Sequence, residues 1–396
     1  MKKLLLALLA VTGFGVAHAQ SSVSIYGILD VGYIGTNYKG VGTSPTNQQN
    51  TNGFGQSAEQ TSRLGFKGQE DMGGGTSAVF TLETGLNPSN STLSTFNTRQ
   101  AFVGLKQQGY GTAAIGTQYT PIYNAVGQTD AGQMNNMLGS LIYATNPQAN
   151  GNSGSGPFAN SSSSAGTSDA FTVRTSNALT VRSDRFAGFA GEAILVSNGT
   201  DNTQTTTVTN GTTTITGGQN TNTGWGLGAN YTYDKFYATV AYQAFKNYTS
   251  GTLTSPTPAL WTTASGGVNT QDNQTYVAAT YDFGILKAYA QYINRKATDS
   301  LNTGYYAQRK AEQIGVRGFF TPTIEGWASA GLGKTTAFGQ GQPTANFTGY
   351  QLGTNYWLSK RTNAYAIFGS TQTSSVAPST AAVSGNGYAV GVRHTF

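Results

Sequence analysis

The chain alternates apolar and polar residues with a period of two over most of its length. In the segment 23–34, for example, Val23, Ile25, Leu29 and Val31 share one parity, whereas Ser24 and Asp30 share the other. A period of two is typical of a β-strand with one apolar and one polar face. The pattern continues to the terminal Phe396, although the last residues of soluble domains are usually frayed and polar. The sequence therefore predicts strands whose apolar faces are covered by something other than water.

Sixteen segments with this period can be counted, and no convincing helix is expected between them. The predicted strands are residues 23–34, 59–69, 75–86, 96–107, 111–118, 171–184, 189–198, 223–234, 236–247, 273–283, 285–296, 309–320, 324–336, 348–358, 361–373 and 386–396.

The connections between these strands alternate in length. Short ones occupy residues 70–75, 107–111, 321–323 and 359–361, and long ones occupy residues 35–58, 119–170, 199–222, 248–272 and 336–346. This alternation is typical of a transmembrane β-barrel with tight turns at one end and long loops at the other. Because hydrocarbon leaves no partner for an open sheet edge, the first and last strands should pair. A closed antiparallel barrel of sixteen strands is wide enough for an aqueous channel.

Aromatic residues near the predicted strand ends are expected to form girdles at the two membrane interfaces. These residues are Tyr233, Phe236, Phe320, Trp327, Trp357 and Phe396.

The composition agrees with an all-β membrane protein and excludes several other classes. Charged residues make up 10% of the 396 residues, against about 25% in soluble domains. Aromatic residues make up 11%, which argues against disorder. There is no cysteine and there are two histidines, so disulfides, thiolate chemistry, a multi-histidine metal site and a Ser-His-Asp triad are disfavoured. No cofactor is expected, and the protein is not expected to be an enzyme.

The N-terminus is typical of an export signal. Lys2 and Lys3 precede an apolar run over residues 4–11, and the small-residue motif AHA ends at Ala19. We expect cleavage after Ala19, which divides the chain into a signal peptide (1–19) and a single barrel domain (20–396).

Several motifs together resemble the general trimeric porins of Gram-negative β-proteobacteria. They are SSVSIYGILDVGY, SRLGFKGQEDMGGGTSAVFTLETG, RQAFVGLKQQGYGTAAIGTQYTPIY, SNALTVRSDRFAGF, LGTNYWLSKRTNAYAIFG and YAVGVRHTF. The resemblance covers the whole mature chain in the family's order. It implies a homotrimeric pore of the outer membrane, in contact with membrane lipid and lipopolysaccharide, whose third loop folds inward to narrow the channel. It also implies that the strand ending in Phe396 is the signal for the barrel-assembly machinery.

A general pore needs a constriction with an electric field rather than catalytic residues, and a ring of positive charge favours anions. The basic residues on the polar parity near the third loop are Arg63, Lys67, Arg99, Arg174 and Arg182. Phe102 is expected to face lipid, which directs Arg99 inward, although the other inward positions of that strand are apolar. Arg63, Arg99 and Arg174 also match the basic wall that the resemblance implies. The other basic residues expected in the lumen by parity are Lys287, Arg295, Arg317 and Arg393.

The third loop, residues 119–170, is expected to carry the opposing charge. Its only acid between residues 119 and 167 is Asp130, and the family's frequent arginine before the QYT run is replaced by Thr117. A weak acidic side predicts a modest anion preference. The Gly-, Ser- and Asn-rich run 149–168 predicts a flexible segment.

Three other functions stay open from the sequence. A channel selective for sugars or organic anions would need an aromatic track, for which Tyr237, Tyr289 and Trp357 have the inward parity. A surface adhesin would need large structured loops, and the loops here are poor in apolar residues. A barrel enzyme would lack the usual histidine base, because the mature chain retains only His394.

Overall fold

The computed structural model describes residues 22–40, 48–89, 98–144, 170–209, 212–249, 269–299, 304, 306–338, 344–374 and 383–396. The predicted signal peptide with its cleavage site, and the run 149–168, lie outside these residues. The strands are β1 (Ser22–Lys39), β2 (Gln48–Gln56), β3 (Arg63–Gly73), β4 (Thr76–Gly85), β5 (Thr98–Gln107), β6 (Gly111–Tyr119), β7 (Arg174–Ser183), β8 (Phe189–Thr209), β9 (Thr212–Tyr233), β10 (Phe236–Thr249), β11 (Asn269–Asp282), β12 (Lys287–Asp299), β13 (Tyr306–Phe319), β14 (Ile324–Phe338), β15 (Ala345–Trp357), β16 (Thr362–Thr373) and β17 (Val383–Thr395).

All of these strands belong to one antiparallel sheet that closes on itself. The first strand, β1, pairs with the last, β17, from Ile28 opposite Thr395 to Lys39 opposite Ser384. Backbone hydrogen bonds of 3.1 Å in both directions join Gly27 to Phe396 and extend this seam to the terminal residue. The predicted pairing of the first and last strands is confirmed, and it leaves no open edge at the seam.

The barrel has sixteen strand positions, because β2 and β3 share one edge of β1. The lower half of β1, Ser22 to Ile28, pairs with β3, and its upper half, Val31 to Lys39, pairs with β2. Residues 57–62 interrupt this shared position and turn into the barrel, where Ala58 and Ser62 are buried. The predicted loop 35–58 is wrong over residues 35–39 and 48–56, which are paired strand.

The two faces of the sheet divide as the alternation predicts. On β1, Val23, Ile25 and Val31 are exposed, whereas Asp30 on the opposite face is fully buried. An apolar outer face and a polar inner face are typical of a barrel that spans lipid.

The aromatic girdle is only partly as predicted. Tyr233, Phe236, Phe320 and Phe396 are exposed on the outer face. Trp327 and Trp357 are not interfacial: they lie on the inner face, where Trp327 is buried and its ring is 5.1 Å from the Arg317 guanidinium. On β14 Trp327 shares its parity with the buried Glu325, and on β15 Trp357 shares its parity with the buried Asn355. This parity decides their direction more strongly than proximity to a strand end.

Short turns and long connections alternate around the barrel, with one exception to the prediction. Strands β8 and β9 extend far beyond their neighbours, so residues 199–222 form mainly a paired hairpin rather than a loop. In outer-membrane barrels the short turns lie at the periplasmic end and the long connections at the extracellular end.

The connection between β6 and β7 contains a helix, α1 (Pro121–Thr129), which sequence analysis missed. Thr120 caps its N-terminus, Pro121 occupies the first turn, and Ile122 and Val126 are fully buried. The helix contacts strands β8 to β12, and its apolar residues pack with Tyr276 and other inner-face side chains in one cluster. Within the described residues, no helix has the length and apolar character needed to cross a membrane.

Candidate functional site

One carboxylate lies at the centre of the basic cluster on the inner face. Arg99 Nε donates to Glu83 Oε1 at 2.6 Å, and Arg63 Nη1 lies 4.0 Å from the same oxygen. The hydroxyl of Tyr26 donates to Glu83 Oε2 at 3.0 Å, and Tyr119 contributes its hydroxyl at 3.2 Å from Oε1. Two guanidiniums therefore share one carboxylate, and the cluster keeps a net positive charge.

A β-bulge, rather than simple alternation, directs Arg99 inward. Glu83 pairs with Gln100, but the next residue of β4, Thr84, pairs with Thr98, so Arg99 is the additional residue. A bulge of one residue reverses which face each side chain meets. The prediction that Phe102 faces lipid is therefore wrong. Phe102 lines an inner cavity, whereas Val103, at 62% exposure, faces outward.

Arg174 lies beside this cluster but has no carboxylate partner. It is opposite Tyr119 in the register of β6 and β7, and 6% of its surface is exposed. Among the described residues no acidic oxygen lies within 4.0 Å of its guanidinium, and its Nε atom has no hydrogen-bond partner. A buried cation is ordinarily paired, so Arg174 is the least compensated positive charge of the site.

Aromatic side chains cover the same wall. The rings of Tyr119 and Tyr123 are stacked, with centroids 4.0 Å apart and planes at 13°. Tyr143 lies edge-on to Tyr123 at 6.4 Å, and Phe171 follows at 6.3 Å from Tyr143. Burial raises the pKa of the Tyr143 hydroxyl to about 12, so it is neutral at physiological pH. The arginines are thus set in a wall of flat, neutral rings.

Lys67 and Arg182 lie on the inner face nearer the short turns. They line one cavity of about 400 Å³. Lys67 Nζ stands 5.5 Å above the ring of Tyr26, and Arg182 Nε donates to Glu192 Oε2 at 3.1 Å. The structure therefore brings Arg63, Arg99 and Arg174 together. Lys67 and Arg182 lie at a separate height, nearer the short turns.

Asp130 lies apart from all five basic residues. Its Oδ2 accepts from the backbone N–H of Met134 at 2.7 Å, and its Oδ1 accepts from Gln313 Nε2 at 3.3 Å. Burial raises the pKa of the Asp130 carboxyl above its ordinary value. With 4% of its surface exposed, Asp130 has a structural position in the segment after α1 and little contact with the lumen.

Neutral amides supply many of the contacts that attach the segment containing α1 to the inner wall. Four buried side chains make these contacts, one on each of β10, β11, β13 and β15: Gln243, Gln274, Gln313 and Gln351.

Gln313 illustrates the attachment. Its Oε1 accepts from the backbone N–H of Leu141 at 2.8 Å, while its Nε2 donates to Asp130 and to Gln291. Gln274 Oε1 accepts in the same way from the N–H of Thr172 at 2.8 Å. These amides carry no charge and do not neutralise the arginines opposite. Arg309 Nη2 and Arg317 Nη1 also attach the segment, by donating to the backbone carbonyls of Leu141 and Ala131 at 2.8 and 2.9 Å.

Three other lumenal arginines are each paired with an acid, and a fourth, Arg309, donates to the backbone carbonyl of Leu141. Arg295 pairs with Asp272 at 2.6 Å. The same distance separates Arg317 Nε from Glu325 Oε1. Arg393 lies 3.4 Å from Glu59, which is 4% exposed.

Sequence analysis missed Glu83 as a site residue. Its parity on β4 opposes the outward Leu82, so the alternation contained the signal that it faces the lumen. In the described parts of the chain, no group of three His, Cys, Asp or Glu residues is arranged to hold a metal ion.

The model of one protein family, described as Gram-negative porin, matches residues 5–376. The chain belongs to the Gram-negative porin family. This porin is 37% identical to an outer membrane porin of Bordetella pertussis over 129 residues, which cover 30% of this chain and 34% of the relative. It is 36% identical to outer membrane porin protein 32 of Delftia acidovorans over 121 residues, or 31% and 33% of the two chains. Each alignment spans about a third of the relative's length.

Solved porin structures share the fold over nearly the whole chain. The anion-selective porin from Comamonas acidovorans has a TM-score of 0.66 and 20% identity, with coverage of 95% of this chain and 100% of that one. A trimer form of the outer membrane protein OmpT of Vibrio cholerae has a TM-score of 0.60 and 13% identity, covering 95% and 99%. Family and fold place this porin in the outer membrane of a Gram-negative cell.

Proposed function

We propose that this porin is a general diffusion channel for small hydrophilic solutes and ions with a modest preference for anions. The observation that carries the proposal is the arginine wall of Arg63, Arg99 and Arg174, which Glu83 balances only in part. Low-dielectric walls concentrate the field of such charges in a narrow lumen. The electrostatic potential beside this arginine wall is therefore favourable for anions.

The third loop narrows the channel beside this wall. The contacts of α1 with inner-face strands and the four glutamine attachments support this position. The described part of the loop contributes little opposing charge at this wall, because its acid there, Asp130, is held by the Met134 N–H and by Gln313, apart from the five basic residues. Arg63, Arg99 and Arg174 form the constriction, whereas Lys67 and Arg182 form a second basic level below it.

The channel works without catalysis, as a homotrimer embedded in membrane lipid and lipopolysaccharide. The trimer form of OmpT supports the assembly, and the apolar outer face supports the lipid contact. Phe396, at 40% exposure on the outer face beside the β1–β17 seam, is available to the barrel-assembly machinery before the seam closes.

A channel selective for organic anions is a second candidate, favoured by one observation. The stacked rings of Tyr119 and Tyr123 lie beside Arg99, whose Nη2 donates to the Tyr119 hydroxyl at 2.8 Å. The ring of an aromatic carboxylate would stack on these tyrosines, and its carboxylate would pair with the arginines.

Planar-bilayer recording of the purified trimer distinguishes the two candidates. A diffusion channel gives conductance that grows in proportion to KCl concentration, and aromatic and aliphatic carboxylates of equal size pass at equal rates. Saturation by an aromatic carboxylate at millimolar concentration would favour the selective channel, and absence of conductance steps would contradict both.

A further inference from the structure

The outer face of the barrel carries a row of lysines on β10 and β12 to β14. Lys310 and Lys334 are exposed, and Lys296 is half-buried, all with the parity of the lipid-facing residues on their strands. Lys246 on β10 extends the row at the same parity. Charged side chains on the lipid face are costly near the bilayer midplane and are tolerated near the interfaces.

The row lies at one height. Lys310 is nine positions from Phe319 at the periplasmic end of β13, and Lys334 is ten positions from Ile324 at the same end of β14. At about 3.3 Å per residue and a strand tilt of about 40°, these spacings correspond to about 23–25 Å along the membrane normal. An apolar band of a bacterial outer-membrane barrel is about 25 Å tall. The lysines therefore lie at the upper edge of the band, at the level of the outer-leaflet headgroups.

Two of these lysines face each other without a compensating acid. Lys310 is directly opposite Lys334 in the register of β13 and β14. Like charges in directly opposed positions destabilise a sheet. Among the described residues no carboxylate lies within 4.0 Å of either ammonium group, including the exposed Glu312 one pleat below. An external anion between the two ammonium groups would remove the repulsion.

The surroundings suit a phosphate that is attached to hydrocarbon. Next to the pair, Lys296 Nζ lies 4.6 Å above the ring of Tyr306, and Gln308 Nε2 donates to Asn294 at 2.8 Å, so donors and a ring cluster at headgroup level. Below the pair, Ile314 and Leu332 are 68% and 61% exposed. A lipid whose headgroup lies at this lysine pair therefore places its acyl chains against apolar side chains.

We propose that Lys296, Lys310 and Lys334 form a site for the phosphorylated glucosamine headgroup of lipid A, whose acyl chains lie along Ile314 and Leu332. Lys310 and Lys334 hold one phosphate between them, and Lys296 contacts the headgroup from the neighbouring strand. The inference rests on the outer-membrane orientation of the barrel and is independent of the ion preference of the pore.

Titration of the detergent-solubilised trimer with purified lipid A, followed by native mass spectrometry, tests this site. The electrostatic attraction between one lysine and an anionic membrane surface changes the binding affinity about fivefold. We expect Lys296→Gln to weaken lipid A binding about fivefold and the Lys310→Gln/Lys334→Gln double variant to weaken it about 25-fold. Lys360→Gln, in a turn at the periplasmic end, is the matched control and should bind as the wild type does.

Two further arms identify the ligand chemistry. Lipid A without phosphates should bind the wild type as weakly as lipid A binds the double variant, and 10 mM inorganic phosphate, about the highest useful concentration, should not displace intact lipid A. Equal binding of phosphorylated and dephosphorylated lipid, displacement by inorganic phosphate, or wild-type binding by the double variant would each overturn the site. If the double variant does not fold, Lys334→Gln alone decides the question. Conductance and reversal potential, recorded on the same folded variants, should stay at wild-type values, which separates this test from that of the channel.

Discussion

Arg99 Nε donates to Glu83 Oε1 at 2.6 Å, within a cluster in which Arg63 approaches the same oxygen at 4.0 Å. This arrangement makes Glu83 the residue that limits the positive potential of the wall. A carboxylate shared by two guanidiniums cancels one charge, and its hydrogen bond orients Arg99.

Glu83→Gln is therefore expected to increase the anion preference of the channel. Gln retains polar contacts with Arg99 and Tyr26 while removing the negative charge. One elementary charge near a permeating ion in water is worth up to about 1 kcal/mol, so the chloride-to-potassium permeability ratio should rise about two- to fivefold. Reversal potentials at low ionic strength measure the ratio. Glu70→Gln, at the exposed periplasmic end of β3, is the control and should leave it unchanged.

Arg174→Gln should have the opposite effect. Since Arg174 has no carboxylate within 4.0 Å among the described residues, its charge acts on the lumen without compensation. Its removal should lower the permeability ratio about two- to fivefold, by the same estimate. Arg185→Gln removes an exposed arginine from a periplasmic turn and should lower the ratio much less. Equal effects of the two substitutions would show that Arg174 does not face the permeation path.

Gln313→Leu should loosen the segment after α1. The substitution leaves the buried N–H of Leu141 without its acceptor and Asp130 without one donor, at about 1–3 kcal/mol for each unsatisfied group. We expect noisier open-channel current and a lower unfolding temperature. Gln308→Leu changes the same strand on its outer face, and its channel current should remain as quiet as that of the wild type.

Asp130 predicts a pH-dependent contribution to stability. Because burial raises its pKa in the folded protein, the folded state binds the proton more tightly than the unfolded chain, where the pKa is about 3.9. The contribution of this group is therefore fully present at low pH and is lost as pH rises through the raised pKa. Asp130→Asn mimics the protonated form. Its unfolding temperature relative to the wild type should increase between pH 4 and pH 8, and a constant difference would contradict the assignment.

Much of the fold follows from the two-residue alternation, because lipid outside and water inside select opposite side-chain classes along each strand. The same rule places Asp30, Arg295 and Arg317 on the inner face, where they are buried. The alternation predicts the wrong face for Phe102, because the bulge at Arg99 adds a residue that no local sequence pattern indicates.

The interior attachments depend on distant contacts that the sequence does not reveal. Gln313 and Leu141 are 172 positions apart, and only the closed barrel brings them to one height. The helix α1 is different, since Thr120 and Pro121 followed by Ile122 and Val126 contain a capping signal and a helical spacing. The helix is only nine residues long, so its signal is weak beside the sixteen strong strand patterns.

The most direct test of the channel's basic wall is the reversal potential of the purified protein in a planar bilayer under a KCl gradient. The wild type should prefer chloride, and the Arg63→Gln/Arg99→Gln/Arg174→Gln variant, folded as shown by its heat-modifiable mobility, should lose that preference. Cation preference in the wild type, or an unchanged reversal potential in the triple variant, would contradict the account.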